Sequence, residues 1–149
     1  MSNSPYHSLA KWLTELLEPV RRELAVHSLK DSFEFIELVR NVELTQHKML
    51  SLDVESLFTN VPLKETVDYI CDYIDRTGRD IGFPTTLLKK LILLCTENVQ
   101  FLFNNDIYRQ KDGVAMGSPI GPLLADVFMS KLENDPLSRT IRKFPCYCR

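Results

Sequence analysis

The sequence predicts a mixed α/β (α+β) fold, a small sheet covered by helices, and three observations carry that expectation. Apolar residues recur every three or four positions through most of the chain, the period turns strand-like only near 48–54 and 99–111, and no linker, repeat or low-complexity stretch divides the 149 residues. With 44% hydrophobic and 26% charged residues and no apolar run near ~20 residues, one compact soluble domain, or at most two small ones, is expected and a membrane-spanning helix is excluded. The opening Met1 to Pro5 carries neither a secretory signal nor a lipidation site, which makes an intracellular address the default expectation.

The elements follow in order. Ser4-Pro5 is a cap followed by a first-turn proline, Leu9, Trp12, Leu13, Leu16 and Val20 then recur at helical spacing, and Pro19 should kink or end the helix. Asp31-Ser32-Phe33-Glu34 is a capping pattern that starts a second helix with Phe35, Leu38, Val39 and Val42 as its stripe. Lys48 to Val54 reads as a mostly buried strand ending near Asp53, and this strand and its neighbours should form the sheet. From Leu63 a helix turns Val67, Ile70, Cys71 and Ile74 inward and should stop before Gly78. Pro84-Thr85 opens another, with Leu87, Leu88, Leu91, Leu94 and Cys95 on its buried side and Glu97-Asn98 at its end. Val99 to Phe103 and Ile107 to Lys111 flank Asn104-Asn105-Asp106, residues that tolerate positive φ, so a hairpin is expected. A last long helix begins near Pro122, with Leu123, Leu124, Val127 and Phe128 inward.

Lys plus Arg number 18 against 20 Asp plus Glu, a net charge of -2, so the chain lacks the electrostatic footprint of an autonomous nucleic-acid binder. The charge is uneven: residues 31–76 hold ten acids and four bases, whereas 131–149 nets +3. Four cysteines, Cys71, Cys95, Cys146 and Cys148, match neither a zinc pattern nor a disulfide scaffold. Cys71 and Cys95 fall on apolar faces and are expected to be reduced and buried, and Cys146-Tyr147-Cys148 is too tight and isolated for a metal site without ligands from elsewhere.

Two stretches invite chemistry. Asp53 ends an apolar strand, where a charge is costly unless paired, solvated or metal-bound; it serves either as a ligand or as a structural cap of the next turn. Gly113 to Pro122 is a glycine-rich loop running into a helix, fit for close approach to a phosphate or base, yet its glycine spacing matches neither a P-loop nor a dinucleotide fingerprint. Glu65, Asp68, Asp72 and Asp75 line one helix face and are expected to be solvated, and His7, His27 and His47 are too dispersed to form a motif.

Taken together, the two stretches resemble a known family. Ser51-Leu52-Asp53-Val54-Glu55-Ser56-Leu57-Phe58-Thr59-Asn60-Val61-Pro62 resembles the first catalytic motif of reverse transcriptases, and Gly113 to Pro122 resembles their second, in the right order and at a plausible separation. The Ser-Leu-Phe-Thr-Asn-Val-Pro and Met-Gly-Ser-Pro-Ile-Gly-Pro wordings, with the early Ser4-Pro5-Tyr6 to Leu13 stretch, look most like the Penelope-like retroelements over nearly the whole chain.

The resemblance implies a partial polymerase palm with a small antiparallel sheet. In it Asp53, helped by the Val54 carbonyl, holds catalytic Mg²⁺, a hard cation whose pair stabilises the attacking and leaving oxygens of phosphoryl transfer. It implies that Phe58 lies against the sugar 2′ position, that Met116 and Gly117 contact the nucleotide, and that Ser118 and Pro119 meet the template and primer. The partners implied are an RNA template, a DNA primer and deoxynucleoside triphosphates. Many reverse transcriptases carry glutamine where Met116 stands. The family pattern continues after the tail with Tyr-x-Asp-Asp and is preceded by a basic fingers segment, so residues 1–149 are expected to be one partial domain, palm with part of the fingers, lacking the third catalytic motif and the thumb. Activity of this fragment alone is not expected. The alternative is a non-catalytic, retroelement-derived remnant or interaction domain; an acidic helical scaffold unrelated to nucleic acid would have to treat both matches as accidents.

Overall fold

The structure is a computed structural model and describes residues 5–40, 42–43, 45, 47–97 and 99–149. It is α+β: among the described residues, helices α1 (Pro5–Leu24), α2 (Ser32–Arg40), α3 (Leu57–Asn60), α4 (Leu63–Thr77) and α5 (Thr85–Thr96) precede strands β1 (Gln100–Phe103) and β2 (Asp106–Arg109), and α6 (Gly121–Asn134) and α7 (Ser138–Ile141) follow. None of these helices is long and apolar enough to cross a membrane.

Helix α6 sits at the centre, packed against α1, α4, α3 and α7, while α5 joins α1 and α4. Its Leu123, Leu124 and Val127 meet Leu13, Leu17 and Val20 of α1, Val67, Ile70 and Ile74 of α4 and Leu88 and Ile92 of α5 in one apolar cluster. The inward stripe of α4 is the one its sequence predicts, and Gly78, at φ 63°, stops the helix as its amide and that of Arg79 close on the Asp75 and Ile74 carbonyls. Asp31 caps α2, its carboxylate accepting from the Phe33 and Glu34 amides at 2.9 Å each.

Four expectations are corrected. Pro19 does not end α1, which continues to Leu24: the proline is exposed, so the Glu15 carbonyl it leaves without an amide can turn to water. The buried stripe of α1 is Ala10, Leu13, Leu17, Val20 and Leu24, while Trp12 lies at the rim and stacks on Phe83 with ring centroids 5.9 Å apart. In α5, Leu87 and Leu94 face outward, because a helix apolar nearly all round gives no period by which to choose its buried side. Residues 48–54 form no strand, and Leu50 and Leu52 are 81% and 84% exposed. A strand exists only with a partner, and among the described residues β1 and β2 pair only with each other. Ser4 and Asn98, assigned to helix ends from sequence, lie outside the described residues.

The hairpin forms as its sequence predicts, antiparallel with Phe101 opposite Tyr108 and Phe103 opposite Asp106. Asn104 and Asn105 both take positive φ, 50° and 65°, the geometry that matches the twist of a two-residue turn, so Asp106 belongs to β2 rather than to the loop.

Candidate functional site

Asp53 and Val54 lie exposed in an irregular stretch that leads into a compact turn. Ser56 takes a left-handed φ of 51° and opens the single turn α3, whose end is tied back where the Thr59 hydroxyl and the Asn60 side-chain amide donate to the Ser56 carbonyl at 2.9 and 3.2 Å. Phe58, half-buried on this turn, packs against the core.

The structure brings this turn onto the glycine-rich loop. The Val114 amide donates to the Phe58 carbonyl at 2.7 Å, and a Cβ on Gly113 would lie 2.6 Å from the Thr59 carbonyl oxygen. That approach, at φ +77°, admits no side chain and accounts for glycine at 113. Val114 and Ala115 are buried, and the loop then folds through amide bonds from Ser118 to the Ala115 carbonyl and from Gly121 to the Ser118 carbonyl. Ile120 and Gly121 run directly into α6, and the Phe58 ring edge lies 3.6 Å from where a Gly121 Cβ would be.

The sequence-selected residues therefore divide into two groups. Phe58, Gly113 and Gly121 share one packed junction, Ser118 is buried within the loop and Pro119 is half-buried beside it. Met116, 75% exposed, and Gly117, at φ +87° with open space around its α-carbon, form the outward tip. Beside the junction, an open cleft of about 570 Å³ runs between the start of α4 and the base of the hairpin, lined by Lys64, Glu65, Arg109, Lys111 and Gly113 among others.

Among the described residues no group of three or more His, Cys, Asp or Glu side chains comes together to hold a metal ion. One exposed carboxylate and one carbonyl do not complete the oxygen cage that Mg²⁺ needs, so these residues alone do not fit a two-metal centre. The acidic row of α4 has a structural use instead: Glu65 pairs with Lys131 of α6, Asp68 pairs with Lys89 of α5, and Asp75 accepts from the Thr85 hydroxyl at 3.0 Å. Cys71 and Cys95 are buried free thiols, as expected, and burial followed by the Asp68 and Asp75 charges pushes Cys71 up to about 11.

A second constellation had not been expected. On the buried side of α6, Glu133 is 1% exposed, and its Oε1 accepts from the Tyr147 hydroxyl and Arg149 Nε at 2.9 Å each. Arg149 also pairs with Asp126, whose other oxygen accepts from Arg21 of α1 at 2.7 Å. Burial opposes the Arg149 charge, but the hydrogen bonds to Glu133 and Asp126 outweigh it and raise its affinity for protons. Burial and Glu133 push Tyr147 up to about 12. The available signal is three polar residues, Asp126, Ser130 and Glu133, recurring at helical spacing among the apolar residues of α6.

No known protein family matches the chain, and no solved structure does. Over 62 residues, 41% of its length, the chain is 39% identical to a UPF0496 protein of Arabidopsis thaliana, and it covers 22% of that protein's length.

Proposed function

We propose that the chain is a fragment of an RNA-directed DNA polymerase of the Penelope-like kind, in which the turn after Asp53 and the glycine loop line one nucleotide-binding surface. The observation that carries this reading is the direct hydrogen bond from Val114 to Phe58, residues 56 positions apart in sequence: two motifs, each resembling a reverse-transcriptase motif, pack on one another. Under this reading the partners are an RNA template, a DNA primer and deoxynucleoside triphosphates, and the carboxylates that Asp53 lacks here belong to the complete enzyme. The chain alone does not carry out polymerisation.

Phe58 tests the reading in a polymerase that contains this segment in full. If its ring lies against the sugar, Phe58→Ala opens room for a 2′-hydroxyl, and ribonucleotide incorporation rises relative to deoxyribonucleotide incorporation while the overall rate falls. If Phe58 serves the core alone, the variant loses about 3 to 5 kcal/mol of stability and both nucleotides suffer alike. An unchanged selectivity ratio with a lowered melting temperature overturns the assignment of Phe58 and favours the alternative, a non-catalytic interaction domain.

A further inference from the structure

Residues 146–149 form a clasp. Tyr147 and Arg149 both reach Glu133 Oε1, so these two side chains share one face of the segment. The Arg149 amide donates to the His27 carbonyl and its carbonyl accepts from the Leu29 amide, 2.8 Å each, the two bonds of a short parallel bridge. The His27 ring meets the Tyr147 ring edge-on with centroids 5.2 Å apart. With 147 and 149 turned inward, Cys146 and Cys148 fall on the other face, two half-buried free thiols separated by one residue.

We propose that Cys146 and Cys148 are a redox pair whose conversion to a disulfide releases the clasp. The oxidant is a low-molecular-weight disulfide. One cysteine thiolate attacks a sulfur of that disulfide and expels one small thiol; the second cysteine, losing its proton, then attacks the mixed disulfide and expels the other. Two cysteine sulfurs are oxidised, one small disulfide is reduced to two thiols, and the protons balance.

The conformational consequence follows from length. Alternate residues of an extended chain lie ~6.6 to 6.8 Å apart, at the far edge of what a disulfide spans, so closing the bond contracts the backbone by about 1 Å. Tyr147 and Arg149, fixed to one carboxylate oxygen and to the 27–29 backbone, cannot follow that contraction and hold their partners. Glu133 Oε2 has no hydrogen bond among the described residues, so release leaves this buried carboxylate without support, a cost that makes the bridge labile rather than structural. Burial, and then the neighbouring thiol, pushes Cys148 up, so exchange accelerates as pH rises.

The test places the chain in glutathione buffers of increasing oxidation, maps thiols by alkylation and mass spectrometry, and follows hydrogen exchange at the Leu29 and Arg149 amides. The expected result is a Cys146–Cys148 bridge, at least a tenfold loss of protection at both amides, and recovery with dithiothreitol. Cys148→Ser, which removes one thiol at little steric cost, stays protected throughout. Glutathione adducts without a bridge, or a bridge that leaves both amides protected, overturns the proposal.

Discussion

The Val114 amide donates to the Phe58 carbonyl at 2.7 Å, so the glycine loop is hydrogen-bonded to the turn that follows Asp53. Through this bond α6, which begins at Gly121, is connected to the segment that carries the exposed aspartate. The segment that carries Asp53 and the loop whose tip is Met116 and Gly117 are therefore tied together at this point.

Gly113 and Gly117 separate close approach from backbone strain. Gly113→Ala combines an unfavourable φ with a 2.6 Å collision against the Thr59 backbone and should cost about 3 kcal/mol or more. Gly117→Ala has the unfavourable φ but open space, and should cost about 1 to 2 kcal/mol. Urea unfolding of the two variants gives the order; equal losses would remove the packed junction from the account.

Arg149→Met leaves Glu133 buried without its charged partner and should destabilise by about 3 to 5 kcal/mol. Arg22→Ala, which breaks an exposed pair with Glu18, should cost under about 1 kcal/mol. Thermal unfolding of both at low and high salt checks the contrast, since the exposed pair alone is screened.

Alkaline pH should weaken the fold. Cys71 rises from 9.0 to about 11 and Tyr147 from 10.0 to about 12, so the folded chain retains these protons where the unfolded chain loses them. Their stabilisation is complete below pH 9 and is lost as pH rises through those folded values. Tyr147→Phe keeps the ring and should flatten the loss between 10 and 12, measured as unfolding midpoint against pH.

Legibility in the sequence followed the physics of each element. The face of α4 could be read because its apolar stripe is one-sided, the inward residues of α6 because that central helix is buried almost all round, and the hairpin because two asparagines mark its turn. The face of α5 could not, since Leu87 and Leu94, seven residues apart, repeat the helical spacing on its outer side. The 48–54 segment carries strand-like residues, but a strand is a property of two segments, and one sequence stretch does not reveal whether its partner is present. Of the site, Asp53, Phe58 and the glycine loop could be picked out, and their packing together could not. The Arg21–Asp126–Arg149–Glu133 network joins residues up to 105 positions apart from one partner to the next, a separation that no local pattern encodes.

For the proposed polymerase reading, the most direct measurement is primer extension on an RNA template by a longer protein that contains this segment, comparing Asp53 with Asp53→Asn. The substitution keeps shape and removes the charge proposed to ligate metal, so the proposed reading predicts that extension is abolished while folding and template binding remain nearly intact. Extension at the unsubstituted rate by Asp53→Asn would contradict it.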